Sequence, residues 1–221
     1  MGRSWSDPRP GDLAADRVRA LSVASVSRET TERLDRFVDV LLKWQRTTSL
    51  IAPSTVDQLW TRHVADSLQL LGLAPEARTW VDLGTGGGFP GLVIACALAD
   101  RPGSRIHLID SHGRKAAFLR EAVRTLGVPA LVHAVRIEEF INGFSDAVDV
   151  VTARAVAPLR TLLSYAEPLV KRGALALFPK GQDVETELTD AAKYWIIEAE
   201  LIPSRTSPRA RIVVVRTAQR R

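Results

Sequence analysis

Apolar residues recur every three or four positions in the first third of the chain, a spacing typical of helices packed by one face. One such stretch begins at Ser27, which can cap a helix. A second begins at Ser54, where Asp57 stands three residues on as a capping-box partner. The pattern predicts an N-terminal helical cap over residues 27–75. Residues 1–26 mix prolines with charges and are expected to form a flexible tail.

Beyond the cap, short apolar runs alternate with helical stretches, which is typical of parallel β-α-β units. The runs cover residues 80–83, 105–109, 130–134, 148–152 and 174–178. Helices are predicted over residues 91–98, 114–126 and 158–170. Two last runs, 195–201 and 211–216, can close the sheet as a hairpin. We therefore expect an α/β protein with a doubly wound sheet over residues 76–221, packed with the cap as one compact unit.

Composition narrows the class of protein. The chain has 221 residues, and a hydrophobic fraction of 46% is ample for a core. Its longest uninterrupted apolar stretch, residues 92–99, is far shorter than the roughly 20 residues that span a bilayer. The single cysteine, Cys96, allows no intramolecular disulfide and no cysteine-rich metal site. A cytoplasmic protein without membrane attachment or bound metal is expected.

The charge is unevenly distributed along the chain. The net charge is +5, and residues 201–221 contain six arginines and no acidic residue. A basic C-terminal part is consistent with a partner that carries phosphate groups.

The segment VDLGTGGGFPG, residues 81–91, follows the first predicted strand and has two interpretations. From Gly86 onward it spells the dinucleotide fingerprint G-x-G-x-x-G, but two extra residues then separate strand and motif. Alternatively, the glycines begin at Gly84, directly after the strand, and Asp82 stands at the strand end. An acid there can pair with a ligand ammonium group, which S-adenosylmethionine has and a nicotinamide cofactor lacks.

The second predicted strand also ends on an acid, Asp110, which is placed to hydrogen-bond both ribose hydroxyls of an adenosyl group. Sites for NAD use an acid at the same distance, so this residue does not discriminate between the cofactors. Its alternative role is to cap the helix that follows. The loop, the strand-end acids and their spacing together favour an adenosyl cofactor, with the methyl donor preferred over NAD.

Six segments add a more specific signal. They are RHVADSLQL (62–70), VDLGTGGGFPGL (81–92), LIDSHGRKAAFLR (108–120), RIEEF (136–140), ARAVAPL (153–159) and FPKGQ (178–182). In order and spacing the chain resembles the ribosomal RNA small subunit methyltransferase G family, also called glucose-inhibited division protein B, over roughly residues 34–216. The family often has proline at the position of Gly87, and glycine there should loosen the loop through added backbone freedom.

The resemblance implies a Rossmann-like class I S-adenosylmethionine-dependent methyltransferase sheet with a helical N-terminal part. It also implies methyl transfer to N7 of a guanine in a 16S rRNA hairpin loop. By motif position, Gly84 and Phe89 would line the cofactor, Ile137 and Glu138 would flank the adenine, and Arg154 would lie beside the cofactor. Glu138 could instead be a helix N-terminal acid and Phe89 a core residue. The expected cofactor-binding set is Asp82, Gly84, Gly86, Phe89, Asp110, Ile137, Glu138 and Arg154.

The residues also bear on the methyl acceptor. Cytosine C5 methylation requires a cysteine nucleophile, and Cys96 lies in an apolar stretch that suits packing. Amino-group methylation of adenine typically uses an Asn/Asp-Pro-Pro-aromatic segment after the fourth strand, and residues 152–155 have none. Guanine N7 carries its own lone pair and no proton, so it needs no general base. No catalytic residue is therefore assigned.

For RNA contacts, the main candidates are Arg62, His63 and Lys180. Further basic candidates are Arg114, Lys115, Arg154 and Arg160. His63 could instead make a hydrogen bond between helices. The expected partner is 16S rRNA or the small ribosomal subunit, bound by a monomer. Two other functions stay open at this point: a nucleotide-binding and RNA-binding module without turnover, and an NAD-dependent oxidoreductase.

Overall fold

Seven strands form one sheet in the order β3-β2-β1-β4-β5-β7-β6 in the computed structural model, which describes residues 10–221. The strands are β1 (Thr79–Leu83), β2 (Arg105–Ile109), β3 (Ala130–His133), β4 (Val150–Ala153), β5 (Leu175–Lys180), β6 (Trp195–Pro203) and β7 (Arg211–Arg220). The first five are parallel, and β7 pairs antiparallel with both β5 and β6. The predicted α/β class and the closing hairpin are confirmed.

Helices cover both faces of the sheet, as expected for strands whose apolar residues run almost without interruption. They are α1 (Pro10–Val23), α2 (Arg28–Gln45), α3 (Asp66–Leu68), α4 (Gly91–Ala97), α5 (Gly113–Leu126), α6 (Ile137–Gly143), α7 (Leu159–Val170) and α8 (Val184–Ala191). Two apolar clusters result: one joins the cap, α4 and α5 to one face, and the other joins α6, α7 and α8 to the opposite face. Helix α8 was not predicted from the sequence, and α6 was indicated only by the alternative role of Glu138 as a helix N-terminal acid.

Helix α1 shows that the predicted flexible tail is wrong for residues 10–23; residues 1–9 lie outside the described part of the chain. The buried carboxylate of Asp16 accepts hydrogen bonds from the Thr61 backbone N–H at 3.0 Å and from its hydroxyl at 2.5 Å. Arg17 pairs with Asp35 at 2.6 Å. These partners of α1 are distant in the sequence. The local sequence of α1 therefore does not predict a helix.

The second cap segment is a helical run of changing pitch rather than one regular helix. It consists of 3₁₀ turns at Pro53–Gln58 and Gln69–Leu73, a π-helical stretch at Trp60–Ala65, and α3. The predicted capping box at Ser54 does not form, because the run begins one residue earlier with a proline in its first turn and no side-chain cap. π-helical turns occur often at functional sites, and this one carries two of the predicted RNA-contact residues.

Cap and sheet share one apolar cluster. The rings of Phe37 in α2 and Phe89 after β1 lie 5.3 Å apart, and those of Trp44 and Phe118 lie 6.0 Å apart. Burial of Phe37 and Phe118 is complete, and truncating such a side chain typically costs about 3–5 kcal/mol. The position of the cap over the sheet is therefore fixed by packing. Among the described residues, no helix has the length and apolar content needed to cross a membrane.

Candidate active site

A cavity of about 1160 Å³ opens at the carboxyl ends of the parallel strands, where doubly wound sheets bind ligands. Its walls come from the loops after β1, β4 and β5, the cap segment around residues 50–66, and the loop between β6 and β7. The sequence predicted the other elements at this cavity, but it gave no role to the β6–β7 loop.

The glycine loop divides into residues that face the cavity and residues that pack. Gly84 and Gly86 line the cavity with φ values of +68° and +58°, a left-handed region in which side chains are strained. Gly88 and Gly91 do not line it. A Cβ at Gly88 would lie 2.7 Å from Leu92 Cδ1, and one at Gly91 would collide with β2. Gly84 belongs only to the interpretation that begins at Gly84, whereas Gly86 belongs to both interpretations.

Gly87 lines the cavity as well, beneath the cap. A Cβ there would lie 2.9 Å from the Leu50 carbonyl oxygen. That carbonyl belongs to a turn clamped by Gln45, whose side chain accepts from the Leu50 and Ile51 N–H groups at 2.9 and 3.0 Å. Because the two backbones approach this closely, the position suits glycine, which has no Cβ.

Asp82 does not reach the cavity, which differs from the expected pairing with a ligand ammonium. Its side chain is 1% exposed. One carboxylate oxygen accepts from the Gly91 N–H at 2.9 Å and the Thr85 hydroxyl at 2.8 Å, and the other accepts from the Thr152 hydroxyl at 2.9 Å. Burial raises the pKa of Asp82 to about 6. The residue fixes the shape of the glycine loop from behind.

Asp110 joins the glycine loop to the end of β2. Its carboxylate accepts from the Gly86 N–H at 2.9 Å and from the N–H of His112, the N-cap residue of α5, at 2.8 Å. Asp110 thus supports the start of α5 without capping it, and this contact is compatible with a role toward a ligand, since each carboxylate oxygen can accept two hydrogen bonds. Ile137 and Glu138 begin α6 after the neighbouring strand β3. They lie outside the main cavity, Ile137 half-buried and Glu138 exposed with Tyr165 donating to it at 3.0 Å.

Arg154, His63 and Phe89 meet at the centre of the cavity wall. The Arg154 guanidinium lies 5.4 Å from the Phe89 ring centroid, and the His63 ring lies 4.9 Å from it. Arg154 donates to His63 Nδ1 at 2.6 Å and to the Arg62 carbonyl at 3.0 Å. Since arginine only donates, Nδ1 is the acceptor and Nε2 carries the proton toward the Thr55 hydroxyl, 2.9 Å away. Phe89 packs against Phe37 and also lines the cavity, so its role toward a cofactor stays a prediction.

The protonation state of His63 follows from this arrangement. Burial, together with the positive charges of Arg154 and Arg62, lowers the pKa of His63 to about 3. The ring is neutral at physiological pH, and both nitrogens are engaged. His63 therefore makes structural hydrogen bonds, as its alternative interpretation predicted. It also lines the cavity.

Asp66 ties the cap to the β6–β7 loop, a contact that no sequence signal indicated. Its carboxylate accepts from the Thr206 hydroxyl at 2.8 Å and lies 3.5 Å from Arg154. Gln69, one turn further, accepts from the Arg205 N–H at 2.9 Å. The loop is thereby held over the cavity, and Arg209 stands exposed at the rim.

Lys180 lies at the end of β5 and braces the loop after β4. Its ammonium group donates to the Ala157 carbonyl at 2.9 Å and to Glu187 at 2.7 Å, and Glu187 also accepts from the Leu159 N–H at 2.6 Å. Within this loop Ala155 has a φ of +55°, a strained value for alanine. Lys180 lines the cavity, as expected, and also maintains the loop.

The remaining basic candidates separate into two groups. Arg62 and Lys115 line the cavity, whereas Arg114 and Arg160 do not. Arg160 instead lies in a second groove beyond the start of α7. Cys96 is buried in α4, and burial raises the pKa of its thiol to about 12, which removes it as a nucleophile.

The fold is shared with solved methyltransferase structures. The O-methyltransferase from Bacillus cereus, solved in complex with SAH, matches with a TM-score of 0.58 and 14% identity over 93% of this chain and 98% of that one. The cofactor-bound Rv0187 from MTB matches with a TM-score of 0.60 and 13% identity, covering 95% and 99% of the two chains. Identities this low establish the fold alone.

Sequence relatives define the family. The family model for rRNA small subunit methyltransferase G, GidB, matches residues 30–210. A protein from Bradyrhizobium sp. strain BTAi1 named ribosomal RNA small subunit methyltransferase G is 58% identical over 208 residues, 94% of each chain. One from Rhodopseudomonas palustris strain BisB18 with the same name is 54% identical over 211 residues, 96% of this chain and 90% of that one. The chain belongs to the rRNA small subunit methyltransferase G family and is an S-adenosylmethionine-dependent methyltransferase.

Proposed function

We propose that this protein transfers the methyl group of S-adenosylmethionine to N7 of a guanine in a hairpin loop of 16S rRNA, acting as a cytoplasmic monomer on the small ribosomal subunit. One observation carries the proposal: a cavity lined by a cofactor-type glycine loop also has the exposed basic side chains Arg62 and Arg209 among its lining residues. We call the glycine loop with its two supporting acids the donor wall (residues 82–91 and Asp110), and four other stretches that contribute lining residues the acceptor wall (residues 50–66, 154–158, 180–187 and 204–211).

The residues of the donor wall fit an adenosyl cofactor. A Cβ at Gly84 would lie 2.6 Å from Val156 Cγ2, so glycine keeps the loop close to the segment after β4. A Cβ at Gly86 would meet only the Gly84 carbonyl oxygen, at 3.7 Å, so the space in front of Gly86 is open to a ligand. Asp110 retains acceptor capacity for the ribose hydroxyls. Ile137 and Glu138, at the same edge of the sheet, would flank the adenine. Bound there, the cofactor supplies an electrophilic methyl group on a sulfonium.

The acceptor chemistry requires no proton transfer. The N7 lone pair forms the new C–N bond while the S–CH₃ bond breaks and its electron pair returns to sulfur. The guanine gains one positive charge and the sulfonium loses one. Neutral His63, with both ring nitrogens engaged, is not available as a base, and none is needed. What the chain has to supply is alignment of donor and acceptor.

Basic side chains at the acceptor rim suit both parts of the RNA. Arg62 and Arg209 can neutralise phosphates, as can Lys115, which lines the cavity from the first turn of α5. In the major-groove edge of guanine, O6 and N7 are neighbouring acceptors, and a donor to O6 leaves the N7 lone pair free. An unpaired loop nucleotide presents this edge without first breaking a duplex.

The decisive experiment incubates the protein with methyl-labelled donor and small subunits that lack the modification. Label is expected at one guanine. Borohydride reduction followed by aniline should cleave the RNA there, because methylation at N7 places a fixed positive charge on the imidazole ring of guanine, whereas methylation at N1 or N2 does not. Label that resists this cleavage would refute the N7 assignment. Donor binding without any label would favour a binding module, and preferential binding of NAD would favour an oxidoreductase.

A variant of the cysteine separates the chemistries further. Cys96→Ser should keep its methylation rate within about twofold, because displacement at N7 forms no enzyme adduct. The control is donor affinity by calorimetry, which reports a folded site. Loss of turnover in a folded, donor-binding variant would contradict direct displacement.

A further inference from the structure

A second groove, of about 380 Å³, lies beyond the start of α7 and opens on the side of α7, β6 and β7. Among its lining residues are four basic side chains and an exposed aromatic ring: Arg160, Lys193, Arg220, Arg221 and Tyr194. We call this the α7–β6 groove. None of these residues lines the catalytic cavity or takes part in the mechanism above.

Guanidinium groups and aromatic rings alternate in this groove. The Arg160 guanidinium carbon lies 4.9 Å from the Tyr194 ring centroid, and that of Arg220 lies 5.3 Å from the Trp195 ring. Trp195 is buried and serves the core, but Tyr194 is 50% exposed. A planar cation on an exposed ring forms a flat, positively charged surface on which a nucleobase can stack.

The charge balance of the groove favours an anion. Asp190 lies 3.9 Å from Arg160 and 3.2 Å from Lys193, and Glu167 lies 3.7 Å from Arg220. The two pairs of Asp190 are exposed and weak, whereas Glu167 is only 13% exposed and also pairs with Lys171 at 2.9 Å. The four basic side chains of the groove outnumber the two carboxylates beside them, and exchanging the exposed Asp190 pairs for phosphate contacts costs little.

The groove adjoins the catalytic cavity along two helices. Ala157 and Pro158 line the cavity, and Arg160 follows two positions later in the first turn of α7. In α8, Glu187 lines the cavity, and Asp190, three residues on, contacts Arg160. One helical turn advances about 5.4 Å. An RNA strand that leaves the cavity across the ends of these helices would therefore reach the groove directly.

We propose that the α7–β6 groove binds an unpaired RNA segment next to the target guanine, with a base stacked on Tyr194 and phosphates held by Arg160 and Arg220. The proposal rests on the proposed RNA substrate. An acidic peptide would match the charge alone, whereas the exposed ring and guanidinium surface matches a nucleotide in both its base and its phosphate.

The test measures binding to protein-free 16S rRNA and steady-state methylation of unmodified small subunits. Tyr194→Ala should weaken RNA binding and raise the KM for subunits about tenfold, with the loss in KM rather than kcat. Tyr194→Phe should restore both values, because it keeps the ring. Arg160→Gln should lower the salt dependence of binding by about one phosphate contact. Arg124→Ala, an exposed arginine at the far end of α5, is the matched control.

Each outcome decides a separate question. If Tyr194→Ala and Arg160→Gln bind RNA as the wild type does, and the wild type methylates subunits, the proposed RNA contact in the groove is refuted and the proposed function stands. A wild-type protein that neither binds nor methylates the RNA would remove the proposed function itself. If KM for subunits rises but binding to protein-free rRNA is not weaker, the groove would bind a ribosomal protein rather than RNA. A Tyr194→Phe variant as weak as Tyr194→Ala would refute stacking.

Discussion

The donor wall is built from ten consecutive residues and one strand-end acid, whereas the acceptor wall draws on four stretches spread from residue 50 to residue 211. On the donor wall, Asp82 and Asp110 direct carboxylate oxygens toward backbone N–H groups of the loop, and Asp82 also toward the Thr85 hydroxyl. On the acceptor wall, charged side chains such as Arg62 and Arg209 stand at the surface. A small, constant cofactor can be held by backbone in a fixed shape, while a large polyanion is met by side chains carried on separate segments.

The strongest test of the donor wall is Gly91→Ala. The added Cβ would collide with Leu108 and would lie 2.7 Å from an Asp82 carboxylate oxygen, inside a packed region. Overpacking of this kind costs about 1–3 kcal/mol and occasionally more, so we expect a loss near the upper end in urea unfolding. Gly143→Ala, where a Cβ meets nothing within 4 Å, is the control and should be neutral. Equal stability of the two variants would show that the loop accommodates bulk.

The next effect concerns the cofactor. Asp110→Ala removes the acceptor of the Gly86 N–H as well as the proposed ribose contact. Donor affinity in calorimetry should fall by about 2 kcal/mol, roughly thirtyfold. Binding of small subunits in the absence of donor should stay within twofold, because the acceptor wall is untouched. A protein that retains full donor affinity would reduce Asp110 to a structural residue of the loop and α5.

The two walls should also respond to pH in opposite directions. The pKa of Asp82 rises from 3.8 to about 6 on folding, so its contribution to stability is present below pH 4 and is lost as pH rises through 6. The pKa of His63 falls from 6.5 to about 3, so its contribution is present above pH 6.5 and is lost as pH falls toward 3.

Measurements of the unfolding free energy from pH 4 to 7 test these two opposite dependences of stability on pH. Relative to the wild type, Asp82→Asn should gain stability as pH rises through this window, and His63→Gln should gain it as pH falls, each by on the order of 1 kcal/mol. Parallel curves for all three proteins would mean that neither group changes its pKa on folding.

The smallest effect is expected at the rim. Arg209→Ala should raise the KM for small subunits a few-fold and lower the slope of binding against salt by about one, while donor affinity is unchanged. The cause is the loss of one phosphate contact at an exposed position of the β6–β7 loop. Arg124→Ala again serves as control, and an identical salt slope in the two variants would exclude Arg209 from the RNA contacts.

How far the sequence could predict the site follows the same division. The glycine loop, Asp110 and the parallel strands were predicted because their signals are local: strand, turn glycines and strand-end acid stand next to one another. The orientation of Asp82 was not, because it depends on Thr152, 70 residues away. Which glycines face the ligand and which face Leu92 or β2 is also decided only by packing.

The acceptor wall could be predicted only as a set of basic residues. Asp66 meets Thr206 across 140 positions, and Arg154 meets His63 across 91, so no window of sequence contains either pair. The pitch of the cap segment and the helix α1 depend on partners in the same way. Arg160 illustrates the limit: its residue type suggested an RNA contact, but only the fold places it in the α7–β6 groove rather than in the cavity.

The shared apolar cluster of cap and sheet has a consequence for how the substrate is engaged. Moving the cap as a lid would pull Phe37 away from Phe89 and expose rings that are now buried, at a cost of several kcal/mol. Under the proposed function, the adjustment on binding would therefore fall to the nucleic acid, because the guanine would have to unstack and enter a cavity that is already formed. The bound base would then close the cavity against water, and guanines that leave their stack readily would be favoured.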